Sequence, residues 1–318
     1  MQASLSDGWY NPIVSSMRFL FLIFFVSSIL VSGCKRPAGL HELQEGILRV
    51  LKSQKGEFAV AFRDLSTGDS IFLNAREAFH AASTMKTPLM IEIYRQAAEG
   101  KFSLGDSLIV RNEFHSIVDG SLYSLDPKDD SELDLYKHQG EKVPVKTLVY
   151  LMITRSSNLA TNLLISLVGA DHVTETMNYY GGTGLKVLRG VEDDKAFQKG
   201  MNNMVTAFGL LEIYEKMAKG LLVNESSSEA MIRILEDQQF NEIIPARLPP
   251  SVKIAHKTGW FKSVNHDSGI VFLPDGRKYV LVLLSKNVEK DEDAVKALAN
   301  ISGMIYQHMI THAGVPKS

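Results

Sequence analysis

The chain has 318 residues, 45% hydrophobic and 22% charged, which is length and apolar content for one large globular domain or two smaller ones. Its formal net charge is −2 and no run of lysine or arginine interrupts the sequence, so charge selects no polyanionic partner and nucleic acid is not expected. There is one cysteine, Cys34, so no disulfide framework can form within the chain.

From the N-terminus, residues 1–16 carry no pattern, and Met17 competes with Met1 as the true start. Arg18 is followed by an apolar run, Phe19 to Val31, and then by Ser32-Gly33-Cys34. A positive charge, a short apolar core and small residues make a secretory signal. The run falls short of the ~20 residues that a membrane-spanning helix needs. Val31-Ser32-Gly33-Cys34 resembles a bacterial lipobox, in which Cys34 is lipidated and becomes the first mature residue. An uncleaved anchor, or a plain signal with an incidental cysteine, is the competing reading. Lipidation would remove the only thiol and with it any cysteine chemistry. Lys35-Arg36-Pro37 then reads as part of a tether over 34–39.

Leu40, Leu43, Ile47, Val50 and Leu51 recur at helical spacing. Glu57–Leu65 alternates and predicts a strand, Ser66-Thr67-Gly68-Asp69 a turn, and Ser70–Leu73 a second strand. The middle reads as helical over Leu89–Glu99, Val145–Ile153, Leu159–Val168, Thr206–Lys219 and Ser226–Asp237. Between them, Leu125–Glu141 is polar and acidic and reads as a surface excursion. Strands return at Val252–Phe261, Asp267–Leu273 and Tyr279–Ser285, and Asp291–His312 predicts a closing helix. Strands at both ends around a helical middle imply an α+β fold. Its mixed, largely antiparallel sheet is flanked by the terminal helices and carries an inserted all-helical region.

Three short motifs carry chemistry. Ser83-Thr84-Met85-Lys86 puts a serine and a lysine three residues apart at the start of a helix, roughly 5–6 Å between Cβ atoms. A serine hydroxyl needs a base. Lysine can serve only if its pKa falls well below ~10.4, and the apolar neighbours Met85, Pro88, Leu89 and Met90 offer the necessary burial. Alone, the pair could equally be two surface neighbours. Ser156-Ser157-Asn158 follows, between two apolar helices, and Lys257-Thr258-Gly259-Trp260 lies on the first returning strand.

S-x-x-K, S-x-N and K-T-G in that order resemble the penicillin-recognising serine hydrolases, and among them the class A β-lactamases. The likeness runs from about Leu40 to His312. It implies a β-lactamase-like domain over 40–318, with a sheet part at 40–82 and 245–318 and a helical part at 83–244. It implies that Ser83 attacks a β-lactam carbonyl, that Lys86 is its base or lowers the cost of the alkoxide, and that Ser156 relays a proton to the leaving nitrogen. Asn158 would bind the substrate's side-chain amide, and Lys257 and Thr258 its carboxylate. The N–H groups of Ser83 and Trp260 would form the oxyanion hole. Glu192, in a loop where class A enzymes carry a water-activating glutamate, would drive deacylation, although Asp193 and Asp194 beside it leave room for a plain acidic loop. No metal or cofactor is implied.

Three departures are visible. Ser157 replaces the aspartate usual in the class A motif, Ala196 stands four residues after Glu192 where an asparagine usually helps to hold the water, and Leu125–Glu141 is longer than the usual connection. They put fast turnover in doubt and keep two alternatives open. One is a D,D-peptidase acting on peptidoglycan peptides, and the other is an envelope sensor that is acylated without turning over. The expected address is the bacterial envelope, as a periplasm-facing lipoprotein, with the outer membrane slightly favoured because Lys35 follows the cysteine. His308 and His312 lack the glutamate of a zinc motif. Gly182-Thr183-Gly184 lacks the context of a nucleotide loop. His266-Asp267 reads as structural.

Overall fold

The computed structural model describes residues 38–312, so Cys34 and the apolar run before it lie outside the described residues. The chain opens with α1 (Ala38–Lys52), followed by the hairpin β1 (Glu57–Asp64) and β2 (Ser70–Leu73) and a short β3 (Phe79–His80). A single 3₁₀ turn, Ala82–Met85, feeds α2 (Lys86–Ala98). Short pairings follow: β4 (Ser107–Ile109) with β7 (Lys142–Pro144), and β5 (Phe114–His115) with β6 (Leu122–Tyr123). Then come α3 (Val145–Thr154), α4 (Asn158–Val168), α5 (Ala170–Tyr179), α6 (Asp194–Gln198) and β8 (Met204–Val205), which pairs with β3. The chain ends with α7 (Ala207–Ala218), α8 (Glu225–Glu236), β9 (Lys253–Trp260), β10 (Asn265–Phe272), β11 (Lys278–Lys286) and α9 (Asp291–Thr311).

The main sheet is antiparallel and runs β2-β1-β11-β10-β9. Both ends of the chain supply it, as the sequence pattern predicts. Alternate side chains of a strand face opposite sides, and here the two faces enter two cores. Phe58, Val60, Phe62, Leu281 and Leu283 pack on Leu40 and Ile47 of α1 and on Leu298, Ile301 and Ile305 of α9. Ala59, Ala61, Val280, Val282 and Leu284 pack toward the helical side, with Leu89 of α2 and Leu210 and Tyr214 of α7.

Helix ends are set by local chemistry. Thr206 accepts a bond from the Gly209 N–H at 3.0 Å and starts α7, as expected for an N-capping residue. Asn224 does the same for α8 through Ser227 N at 2.8 Å. The segment 125–141 is exposed over most of its length, as a surface excursion should be, but it is folded into 3₁₀ turns and anchored by the buried Leu125, Asp130, Glu132 and Leu135.

Candidate active site

The site lies where the sheet's edge strand β9 meets the 3₁₀ turn before α2. Contact is close because residue 259 is glycine: a Cβ there would stand 3.2 Å from both the Ser83 nitrogen and the Ala82 Cβ. Ala82 takes a left-handed conformation, φ 44°, that a non-glycine residue rarely adopts. It is held there, its N–H donating to His80 Nδ1 at 3.1 Å. His266 supports the same turn from β10. Its Nδ1 accepts from the Ser285 N–H at 3.2 Å, which leaves Nε2–H to donate to the His80 carbonyl at 2.9 Å. Burial lowers the His266 pKa to about 4, so the ring stays neutral in this structural task.

Ser83 sits half-buried on this turn, and Lys86 is one turn on, fully buried. The Lys86 ammonium donates to the Ser156 carbonyl at 2.6 Å, to Ser156 Oγ at 3.2 Å and to Asn158 Oδ1 at 3.0 Å. Lys257 reaches the same hydroxyl from β9, donating to Ser156 Oγ at 3.1 Å and to the Thr258 carbonyl at 3.0 Å. Ser156 Oγ thus lies between two buried lysines. Desolvation penalises both charges. It brings the Lys86 pKa down to about 7, against the upward pull of Asp130 and Glu192. Lys257 falls well below its ordinary value through burial and then through the charge of Lys86. A lysine poised near neutrality can take a proton from a serine.

Glu192 joins the site through Asn158. Its Oε1 accepts from Asn158 Nδ2 at 2.9 Å and its Oε2 from the Asp126 N–H at 3.2 Å. Burial pushes its pKa up, while these two bonds pull it down. Asn158 therefore links Lys86 to Glu192, with its oxygen on the first and its nitrogen on the second. Ser156 and Glu192 also adopt left-handed backbones, φ 55° and 59°. Asp193 and Asp194 have other places. Asp193 is buried, caps α6 through Ala196 N at 3.1 Å and accepts from Ser116 Oγ at 2.8 Å, while Asp194 is exposed. Thr258 lies half-buried beside Lys257, and Trp260 is exposed at the strand's end.

Sequence reasoning missed the residues that hold these loops. Asn162 accepts the Val191 N–H at 2.7 Å and donates to the Val191 carbonyl at 3.0 Å. Asn203 accepts the Leu188 N–H at 2.8 Å and donates to the Arg189 carbonyl at 2.9 Å. Gln238 bridges the end of α3 to β9 by donating to the Ile153 carbonyl at 3.0 Å and the His256 carbonyl at 3.4 Å. The Asp130 carboxylate accepts the Asn158 and Leu159 N–H groups, each at 2.9 Å. Each is a polar residue whose partners lie far away in sequence, so no local pattern marks it.

A half-buried serine one turn before a buried lysine of lowered pKa, at the edge of an antiparallel sheet, suits a serine hydrolase that works by acyl transfer. The family model described as "Beta-lactamase enzyme family" matches residues 42–309, and the chain belongs to that family. It is 24% identical over 277 residues to the extended-spectrum beta-lactamase PER-1 of Pseudomonas aeruginosa, covering 83% of this chain and 86% of that one. To a beta-lactamase of Bacteroides uniformis it is 23% identical over 307 residues, 92% of this chain and 100% of the relative. Among solved structures, a mutant of PBP-A in its acyl-enzyme complex with penicillin G superposes with a TM-score of 0.74 at 26% identity, over 86% of this chain and 97% of that one.

Proposed function

We propose that this chain is a serine β-lactamase that works through an acyl-enzyme on Ser83. Neutral Lys86 takes the Ser83 proton as Oγ bonds to the β-lactam carbonyl carbon. The ring C–N bond breaks, and the proton passes from Lys86 through Ser156 to the leaving nitrogen. Lys257 keeps Ser156 oriented and, with Thr258, meets the substrate carboxylate. The N–H groups of Ser83 and Trp260 stabilise the oxyanion, a contribution of ~10²–10³ in rate per donor. Asn158 binds the side-chain amide. In the second half, Glu192 takes a proton from water as the water oxygen attacks the ester carbonyl; the C–Oγ bond then breaks and that proton is returned to Ser83 Oγ, which restores the hydroxyl and the Glu192 carboxylate.

The observation that carries this reading is Lys86: fully buried, with a pKa near 7 and 3.2 Å from Ser156 Oγ. Ala196, a methyl group in place of a second water ligand, favours the D,D-peptidase or a non-turnover sensor as the second reading. Steady-state nitrocefin hydrolysis, run beside labelling with a fluorescent penicillin, decides. Sustained turnover is the expected result. A long-lived label without turnover would replace the β-lactamase by the peptidase or the sensor.

The envelope address belongs to the same proposal. Cys34 is the lipidated first residue of the mature enzyme, which faces the periplasm and is held to a membrane, with the outer membrane slightly favoured. The support is the apolar run that ends at Val31-Ser32-Gly33-Cys34. Palmitate-analogue labelling in cells should mark the parent and not Cys34→Ala. Equal labelling of both would remove the anchor from the account.

A further inference from the structure

The turn that presents Ser156 has an unusual support. Its motif lacks an acidic residue, because the middle position is Ser157. A carboxylate is nevertheless present at that spot, and it arrives from a different segment. Asp130 is 6% exposed, and its Oδ2 accepts the Asn158 N–H and the Leu159 N–H at 2.9 Å each, the Tyr136 hydroxyl at 3.0 Å and the Ser157 hydroxyl at 3.4 Å. Its Oδ1 accepts the Glu132 N–H at 3.0 Å. Ser157 serves the next position, accepting the Ala160 N–H at 3.2 Å. The first three N–H groups of α4 are thus divided between a carboxylate and a hydroxyl that lie far apart in sequence. The segment around Asp130 touches the rest of the site as well. The Asp129 carbonyl accepts from Asn158 Nδ2 at 3.4 Å, and the Asp126 N–H meets Glu192.

We infer that Asp130 is a positioning residue for acylation: carried in by the 125–141 segment, its carboxylate does for the Ser156–Asn158 turn what an aspartate inside the motif would do. The inference deepens the reading of Ser83 and Lys86 as an acylating pair and rests on it for its consequence in rate. The geometry has two effects. Fixing the Asn158 backbone fixes the side chain that joins Lys86 to Glu192, and it holds Ser156 in its left-handed conformation. The buried charge also favours the protonated form of Lys86. The other ionisable groups that face Lys86 are Glu192, which favours the same form, and Lys257, which opposes it.

Three variants test this. Asp130→Asn keeps the shape and an accepting oxygen but removes the charge. Asp130→Ala removes both. Asp130→Ala/Ser157→Asp returns a carboxylate to the motif itself. The first readout is the titration of Lys86 by NMR of ¹³Cε-labelled lysine, assigned with Lys86→Gln. The second is the rate of Ser83 labelling by a fluorescent penicillin. Asp130→Asn should titrate Lys86 at lower pH and carry the acid limb of labelling down with it. Asp130→Ala should label about 10²-fold more slowly, the cost of a displacement on the order of 1 Å. The double variant should recover most of that loss. An unmoved Lys86 titration in Asp130→Asn would overturn the inference. So would a double variant that regains the parent's melting temperature but not its labelling rate, since Asp130 would then be structural only. If the parent takes no label from any penicillin, the acylation reading fails, and the Lys86 titration still decides the role of Asp130.

Discussion

The two faces of the five-stranded sheet are built from the same strands to opposite ends. The face under α1 and α9 is filled with aliphatic and aromatic side chains such as Ile47, Phe62, Leu298 and Ile301. The other face is apolar toward its centre, but at the edge strand the inward-pointing row continues from Ala255 to Lys257 and Gly259. There the fold buries two lysines, a step that disfavours their charged forms. One face stabilises the fold. The other uses part of that stability to hold groups in protonation states that water would not allow. Chemistry and packing should therefore respond separately to substitution.

The largest separation is expected at the nucleophile. Ser83→Ala should abolish covalent labelling by a slow β-lactam, read by intact-protein mass spectrometry, and leave the thermal midpoint unchanged or raised. An adduct at full yield would move the nucleophile elsewhere. Glu192→Gln comes next. It keeps size and hydrogen bonding but removes the base, so deacylation should slow by ~10²–10⁴ and acyl-enzyme should accumulate as a burst in rapid mixing. The exposed Asp194→Asn is the control, because Asp193 is occupied in holding its loop. Nitrocefin turnover at the parent rate in Glu192→Gln would reduce Glu192 to a loop carboxylate.

On the far face the expected effects are on stability alone. Ile301→Ala, at a fully buried position, should cost about 2–5 kcal/mol in denaturant unfolding. The folded enzyme should keep its kcat, and a large fall in kcat would mean that the two faces are coupled. The smallest effect is expected at Tyr279, whose buried hydroxyl has no hydrogen-bond partner among the described residues. Tyr279→Phe should raise stability by about 1 kcal/mol, since an unsatisfied buried hydroxyl is removed. A loss of similar size would mean that the hydroxyl is satisfied.

What was legible in the sequence follows the same division. The strands β1, β9, β10 and β11 could be read because each repeats a local apolar pattern, and the closing helix α9 because its stripe is long. Helix α5 was missed. Its inward positions include Thr176, whose hydroxyl donates to Glu92 Oε2 at 2.6 Å, and Thr174, which donates to the Val187 carbonyl at 2.9 Å. Polar side chains satisfied in this way blur the periodicity. In the site, Ser83 and Lys86 were legible because one helical turn joins them. The three motifs could be combined only through resemblance to a family. Asp130 was read as part of a polar surface segment, since nothing local distinguishes an acidic residue in water from one that crosses to cap another helix.

The central claim is that Lys86 acts as the base because burial makes it neutral near pH 7. Its pKa is lowered to about 7, so the neutral, base-competent fraction grows as pH rises through that value. The direct measurement is the single-turnover rate of Ser83 acylation by a penicillin, followed by stopped flow across pH 5–9 under conditions where the fold is intact. The account predicts a rate that climbs about tenfold per pH unit below 7 and levels above it. A rate that is flat from pH 5 to 8, or that falls as pH rises through 7, would contradict it.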